Sequence, residues 1–202
     1  MSAGKFITLE GIDGAGKSTH VQRIADFLRA KGRFVVVTRE PGGTPLGEKL
    51  RAVLLSQAMD IETETLLMFA ARREHIVRVI APALAEGRWV VSDRFTDATY
   101  AYQGSGGGLA KDRIAVLERW AQGSLSPDLT LLFDAPVDVA LARLPRDRVD
   151  RFESESRSYF ERVRAGYLER AAAEPGRMRI IDSKLPLSEV KKTVEEIVSS
   201  IC

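Results

Sequence analysis

Residues 6–19 read FITLEGIDGAGKST, and this stretch decides the fold. Residues 6–10 (FITLE) are a short run rich in strand formers. Gly11, Ile12, Asp13, Gly14, Ala15, Gly16, Lys17 and Ser18 then fit the pattern G-x-x-x-x-G-K-[ST], and Thr19 follows. After them Val21, Ile24, Ala25 and Leu28 recur at helical spacing, with Gly32 where a helix C-cap belongs. Strand, glycine loop and helix in this order make a phosphate-binding loop. A polyphosphate has to lie against backbone N–H groups, and Gly14 and Gly16 permit that approach. The helix presents the positive end of its dipole to the anion. Residues 11–19 are therefore expected to bind ATP. Lys17 reaches the β and γ phosphates, and the Ser18 hydroxyl is a ligand for Mg²⁺.

Working outward, the same alternation continues. Further strands are expected at 34–38 (FVVVT), 89–92 (WVVS), 129–134 (LTLLFD) and 178–182 (MRIID). Helices are expected at 46–56, 61–86 with a bend near Pro82, 112–122, 137–144, 155–173 and 187–201. Short apolar strands alternating with helices imply right-handed βαβ units on a five-stranded parallel sheet flanked by helices. Ligands in such folds sit at the carboxyl ends of strands. The loop after Glu10, the REPGG loop after Thr38 and the Asp93-Arg94 pair all fall there. The run Gly104 to Gly108 reads as a flexible loop without chemistry of its own, and an arginine-rich excursion at about 143–153 reads as a small lid.

The whole is one domain, 1–202. Lys and Arg number 30 against 28 Asp and Glu, a net charge of +2, without the clustered basic excess of a nucleic-acid binder. No apolar run approaches the roughly 18 residues of a membrane span, and residues 1–5 have no apolar signal core, so a cytoplasmic protein without membrane contact is expected. The single cysteine, Cys202, allows neither an intrachain disulfide nor a cysteine metal site. His20 and His75 lack metal-ligand spacing and read as helix-surface residues. A guanine-reading N/T-K-x-D element is missing, because 182–185 read Asp-Ser-Lys-Leu. That argues against a nucleotide-dependent switch and for a small-molecule phosphotransferase.

FITLEGIDGAGKST, TREPGG, Lys49-Leu50-Arg51, Asp93-Arg94, TYAYQG and DRFE, in this order and over nearly the whole chain, together resemble bacterial thymidylate kinases. The resemblance implies a P-loop kinase fold, transfer of the γ-phosphoryl of MgATP to dTMP giving dTDP and ADP, and a homodimer. Another nucleotide or nucleoside kinase of the same fold is the nearest rival. It implies that Asp13 bonds the sugar 3′-hydroxyl and assists catalysis, and that Glu40 borders the acceptor phosphate. Arg51 and Arg94 suit a dianionic monophosphate, since planar guanidinium forks match its oxygens. Asp93 either positions Arg94 or holds metal-bound water.

On the long helix the family stacks an aromatic on thymine and places an arginine about one turn later. Phe69 with Arg72 is the favoured pair; Arg73 stays open, since it lies four after Phe69, and Met68 lies four before Arg72. Thr99, Tyr100 and Gln103 resemble the segment completing the base and sugar pocket, with Tyr100 placed near C2′. An amide can offer the thymine imide edge both a donor and an acceptor. One branch of the family takes a catalytic arginine from the phosphate loop. Here Asp13-Gly14-Ala15-Gly16 carries none, and Ala15 is the position read as lacking the charge. The chain therefore resembles the branch with that arginine in the lid, which points to Arg146 and Arg148, with Arg143 and Arg151 nearer the hinges.

Overall fold

The computed structural model describes residues 4–144 and 155–202. Its sheet has five parallel strands: β1 (Phe6–Glu10), β2 (Val35–Arg39), β3 (Trp89–Asp93), β4 (Leu129–Asp134) and β5 (Met178–Asp182). Their order is β2-β3-β1-β4-β5, so β1 is central; the chain goes first to β2 at one edge, returns to β3 beside β1, and then crosses to β4 and β5 on the other side. Leu9 is level with Asp93 on one side and Leu131 on the other, which brings the ends of β1 and β3 together. Arg39 at the end of β2 is level with Asp93 in turn. Every residue of β1 is buried, as a strand covered on both faces requires.

The flanking helices are α1 (Lys17–Ala30), α2 (Pro45–Ser56), α3 (Ile61–His75), α4 (Ala81–Ala85), α5 (Thr96–Thr99), α6 (Lys111–Gln122), α7 (Val137–Leu141), α8 (Arg157–Ala173) and α9 (Leu187–Ser199). The main core gathers Ile24 and Leu28 of α1, Phe160 and Tyr167 of α8 and Val194 of α9 on the apolar strands. Among the described residues no helix is long and apolar enough to cross a membrane.

Several expectations change here. The single helix expected over 61–86 is interrupted by a π-helical turn at Ile76–Ile80. Pro82 supplies the cause, since it has no N–H to donate and its ring would collide with the carbonyl four residues earlier. Residues Tyr100–Gly106 form a second π-helical turn packed on α8, not a loose glycine loop. A Cβ at Gly106 would come within 2.7 Å of Val163, so this glycine serves close packing. Neither histidine lies on the surface. His20 is buried and stacks on Phe133, and His75 is wholly buried. The Glu40–Pro41 peptide bond in the REPGG loop is cis. Of the lid, residues 145–154 lie outside the described residues, Arg146, Arg148 and Arg151 among them.

Candidate active site

β1 delivers the chain into the phosphate loop with Gly11, Gly14 and Gly16 all at positive φ. At position 14 a Cβ would run into the carbonyl oxygen of Ala140, so the loop is fitted against α7. Ile12 and Ala15 turn into the core, which leaves the loop backbone facing the groove. Ala15 therefore is not a vacant seat for a charge: a side chain there points inward. Lys17 Nζ donates to the carbonyls of Gly11 at 2.8 Å and Ile12 at 2.9 Å. Burial, with Arg94 adding to it, pulls the Lys17 ammonium down to about 8.

Ser18 in the first turn of α1 and Asp93 at the end of β3 meet. Ser18 Oγ donates to Asp93 Oδ2 at 3.4 Å, and Asp93 Oδ1 is buried with no partner among the described residues. An orphaned carboxylate oxygen beside a hydroxyl is an oxygen donor set that fits Mg²⁺.

Arg94 is the centre of the site. It is the one non-glycine residue with positive φ (70°) among the described residues. Its Nη2 donates to Asp13 Oδ1 at 2.6 Å and to the Tyr102 hydroxyl at 2.9 Å, and its Nη1 donates to the Tyr167 hydroxyl at 2.9 Å. The Tyr102 hydroxyl in turn donates a hydrogen bond to Asp13 Oδ2 at 2.8 Å, and Tyr167 donates to Glu10 Oε2 at 2.8 Å. The guanidinium also lies over the Tyr102 ring, 4.6 Å from its centroid. Burial opposes charge on Arg94, but Asp13 and its other neighbours hold it protonated well above the ordinary range. Burial also opposes charge on Asp13, yet Arg94 and Lys17 bring its carboxyl down to about 2. Glu10 goes the other way. Burial, then the charge of Asp97, lifts it to about 8 against the pull of Arg94 and Tyr167.

Glu40 organises a second cluster. Its Oε2 accepts from Arg72 Nε at 2.7 Å, and its Oε1 lies 3.0 Å from His75 Nδ1. The other ring nitrogen of His75 is 2.6 Å from Thr38 Oγ1, which ties α3 to the end of β2. Arg72 Nη2 donates to the Phe95 carbonyl at 3.2 Å and to Thr99 Oγ1 at 3.1 Å. Its Nη1 is buried with no partner among the described residues. Arg73 is spent elsewhere, donating to the Ala121 carbonyl at 3.1 Å.

Two cavities open here. A groove runs along Gly14, Gly16, Lys17, Ser18 and Thr19 to Asp93 and Arg143. A mostly apolar slot is lined by Leu55, Met68, Arg72, Phe95, Thr99, Tyr102 and Gln103. Asp13, Glu40, Arg51 and Arg94 belong to the walls of both. Arg51 Nη1 donates to the Pro41 carbonyl at 3.1 Å, which aims it from α2 over the REPGG loop.

The structure thus gathers Asp13, Glu40, Arg51, Arg72, Arg94, Thr99 and Gln103 around one slot. It does not bring Phe69 or Tyr100 to the slot wall. Phe69 packs with Tyr100, Leu109 and Ile114 in a satellite core, and Arg72 lies 4.6 Å from its ring centroid. Met68 and Phe95 line the slot instead, and so does Tyr102, while the Tyr100 hydroxyl donates to Glu118. The π-helical turn accounts for the exchange of Tyr100 for Tyr102, because its wider winding shifts which residues of 100–103 face the slot. Glu10, Tyr102, Tyr167 and His75 escape sequence reasoning. Tyr102 stands one residue before Gln103 in the TYAYQG run, the one local signal, but Tyr167 joins the site across 157 residues.

A phosphate loop on the central strand of a five-stranded parallel sheet, joined by a shared arginine-lined wall to a second slot, defines a P-loop kinase. The thymidylate kinase sequence profile matches residues 9–194. The thymidylate kinase of Cupriavidus metallidurans is 62% identical over 199 residues, covering 98% of this chain and 99% of the relative. That of Bordetella petrii is 64% identical over 189 residues, covering 93% and 91%. The crystal structure of the thymidylate kinase of Ehrlichia chaffeensis superposes with a TM-score of 0.81 at 34% identity, covering 98% of this chain and 99% of that one. The chain belongs to the thymidylate kinase family.

Proposed function

We propose that this chain transfers the γ-phosphoryl of MgATP to dTMP, giving dTDP and ADP in the supply of dTTP. The observation that carries the reading is the wall common to the two cavities. Asp13, Glu40, Arg51 and Arg94 stand where a donor polyphosphate in the groove and an acceptor monophosphate in the slot would meet. Holding the two reactants in line supplies most of what such a loose transition state needs.

The roles follow from the contacts. The loop amides of residues 11–19 and Lys17 hold the ATP phosphates. Arg51 and Arg94 take the acceptor phosphate, with Arg94 kept in position by Asp13, Tyr102 and Tyr167. Asp13, ionised at neutral pH, accepts from the sugar 3′-hydroxyl. In the slot, the unspent Nη1 of Arg72 and the Gln103 amide read the base edge between Met68 and Phe95. Ser18 and Asp93 would hold Mg²⁺, which would supply charge neutralisation on the donor phosphates. Arg146 and Arg148 bring the further positive charge from a lid at about 143–153 of the single domain. Arg143 supports the hinge assignment by donating to the Ser183 carbonyl at 3.0 Å.

The protein acts in the cytoplasm on small molecules, without nucleic acid or membrane, and as a homodimer. Exposed Leu66 of α3 and Val116 and Trp120 of α6, helices that pack on each other, support the dimer. The test is a coupled assay with ATP, Mg²⁺ and a panel of nucleosides and nucleoside monophosphates. dTMP should be the preferred acceptor, and a higher kcat/KM for any other acceptor overturns the reading.

A further inference from the structure

Gln103 lines the slot and is itself only 2% exposed, so the direction of its amide matters. Its Nε2 donates to Glu64 Oε1 at 2.7 Å. Glu64 is 3% exposed and stands behind Gln103, outside the slot wall. It sits on α3 with Met68 and Arg72 at successive intervals of four, so one face of the helix carries all three toward the slot region. The other acids in the first turns of α3 have an ordinary explanation. Asp60 caps the helix through the Glu62 and Thr63 amides, and Glu62 is exposed beside the positive end of the dipole. Glu64, by contrast, is buried and accepts from the Gln103 amide.

We infer that Glu64 sets the pyrimidine specificity of the slot by fixing which way the Gln103 amide faces. The inference rests on the dTMP reading above. A carboxylate accepts hydrogen bonds and cannot donate them, so it binds the NH₂ end of Gln103 and rejects the flipped amide. With the NH₂ end committed to Glu64, the carbonyl Oε1 is the end left for the base. Together with the unspent Nη1 of Arg72, the slot then offers one acceptor and one donor. Thymine presents an N3–H donor beside its O4 acceptor, which is the complement. Cytosine presents an N3 lone pair beside an N4 amino group, so it meets acceptor with acceptor and donor with donor. A site built to bond one pattern rejects the other strongly, since its buried groups are left unpaired.

Glu64 is a positioning residue, and chemistry separates that role from mere packing. Glu64→Gln keeps the shape but accepts either end of Gln103. Glu64→Asp is the worse fit but remains acceptor-only. The measured quantity is kcat/KM for dCMP divided by that for dTMP, with the KM for ATP alongside. In Glu64→Gln the ratio should rise about tenfold or more, with the KM for ATP unchanged. In Glu64→Asp the ratio should stay near wild type even where turnover falls. A folded Glu64→Gln protein with the wild-type ratio overturns the inference, and so does an equal rise in Glu64→Asp. Should neither variant fold, NMR of the wild-type dTMP complex decides. The Gln103 side-chain NH₂ protons should contact the Glu64 methylenes and not the base, and contact with the thymine ring sinks the proposal. A wild-type protein that prefers another monophosphate overturns the dTMP reading itself, an outcome distinct from an unchanged ratio in the variant.

Discussion

Arg94 and Asp13, 81 residues apart in the chain, are joined by a 2.6 Å ion pair that is the seam between the two cavities. The pair is bound up with the unusual backbone of Arg94. A left-handed conformation costs a non-glycine residue roughly 1–2 kcal/mol, and the bonds to Asp13, Tyr102 and Tyr167 offset it.

Arg94→Ala should therefore destabilise the fold by about 3 kcal/mol, because it takes the ion-pair partner from Asp13 and a charged donor from the Tyr102 and Tyr167 hydroxyls. Adding Asp13→Asn should cost less than the two single changes summed, since both remove the same bond. Urea denaturation of the three variants checks this. Additive losses would show that the pair does not act as a unit.

Arg51→Ala should be different in kind. Arg51 reaches the shared wall from α2 and does not carry the Arg94 network, so the fold should survive. Affinity for dTMP should fall by roughly 1.5–3 kcal/mol, the worth of a hydrogen bond to a charged group. Titration with a non-hydrolysable ATP analogue should show little change. Equal weakening of both ligands would move Arg51 to the donor side.

Lys17→Ala should abolish transfer while circular dichroism stays native. In the wild type, the free-enzyme Lys17 loses its proton as pH passes about 8, because burial and Arg94 disfavour its charge. The value of kcat/KM for ATP, which reports the free enzyme, should thus fall above about pH 8. A profile flat to pH 9.5 would contradict this.

Glu10 gives stability its own pH dependence. Its folded value of about 8 lies above the ordinary 4.5, so between these values the native state holds a proton that the unfolded chain has lost. The contribution is complete below about pH 4.5 and is lost as pH rises through about 8. Asp13, held at about 2, has the opposite sign and acts only in acid, below its ordinary 3.8. Urea midpoints at pH 5.5 and 7.5 should fall more in the wild type than in Glu10→Gln. Identical changes in both proteins would remove Glu10 as the source.

Arg146→Ala with Arg148→Ala should lower kcat by about a hundredfold or more, with dTMP affinity little changed. Steady-state kinetics at saturating substrates decides it, and a kcat within tenfold of wild type would rule out the lid arginines. The loop offers no replacement, since Ala15 is turned into the core and position 14 abuts Ala140.

The fold was legible because its signals are local. The phosphate loop, the apolar strands and the helical spacing each fit within a dozen residues, and all five strands stand where the sequence places them. The site was legible where a residue type alone implies its chemistry, as with Lys17, Arg51 and Arg94. It was illegible where a π-helical turn changes the winding, which is why Tyr102 and not Tyr100 faces the slot. It was illegible also where partners are distant. His75 and Glu64 read as ordinary helix residues until Thr38, Glu40 and Gln103 are brought to them. Periodicity tells which face of a helix is buried, but not that the buried face is polar because another polar group waits there.

The bond from Tyr167 to Glu10 spans 157 residues, and it bears on how the protein comes into being. Synthesis delivers the phosphate loop well before α8, so this contact cannot form until both are made. A nascent or truncated chain lacking α8 has no Tyr167 to brace its Arg94, and it lacks the α8 side chains of the core that Ile12 and Ala15 of the loop enter. Competence for transfer therefore arrives only once α8 has been made and docked. Recovery of turnover during refolding accordingly reports the docking of α8 on the central strands.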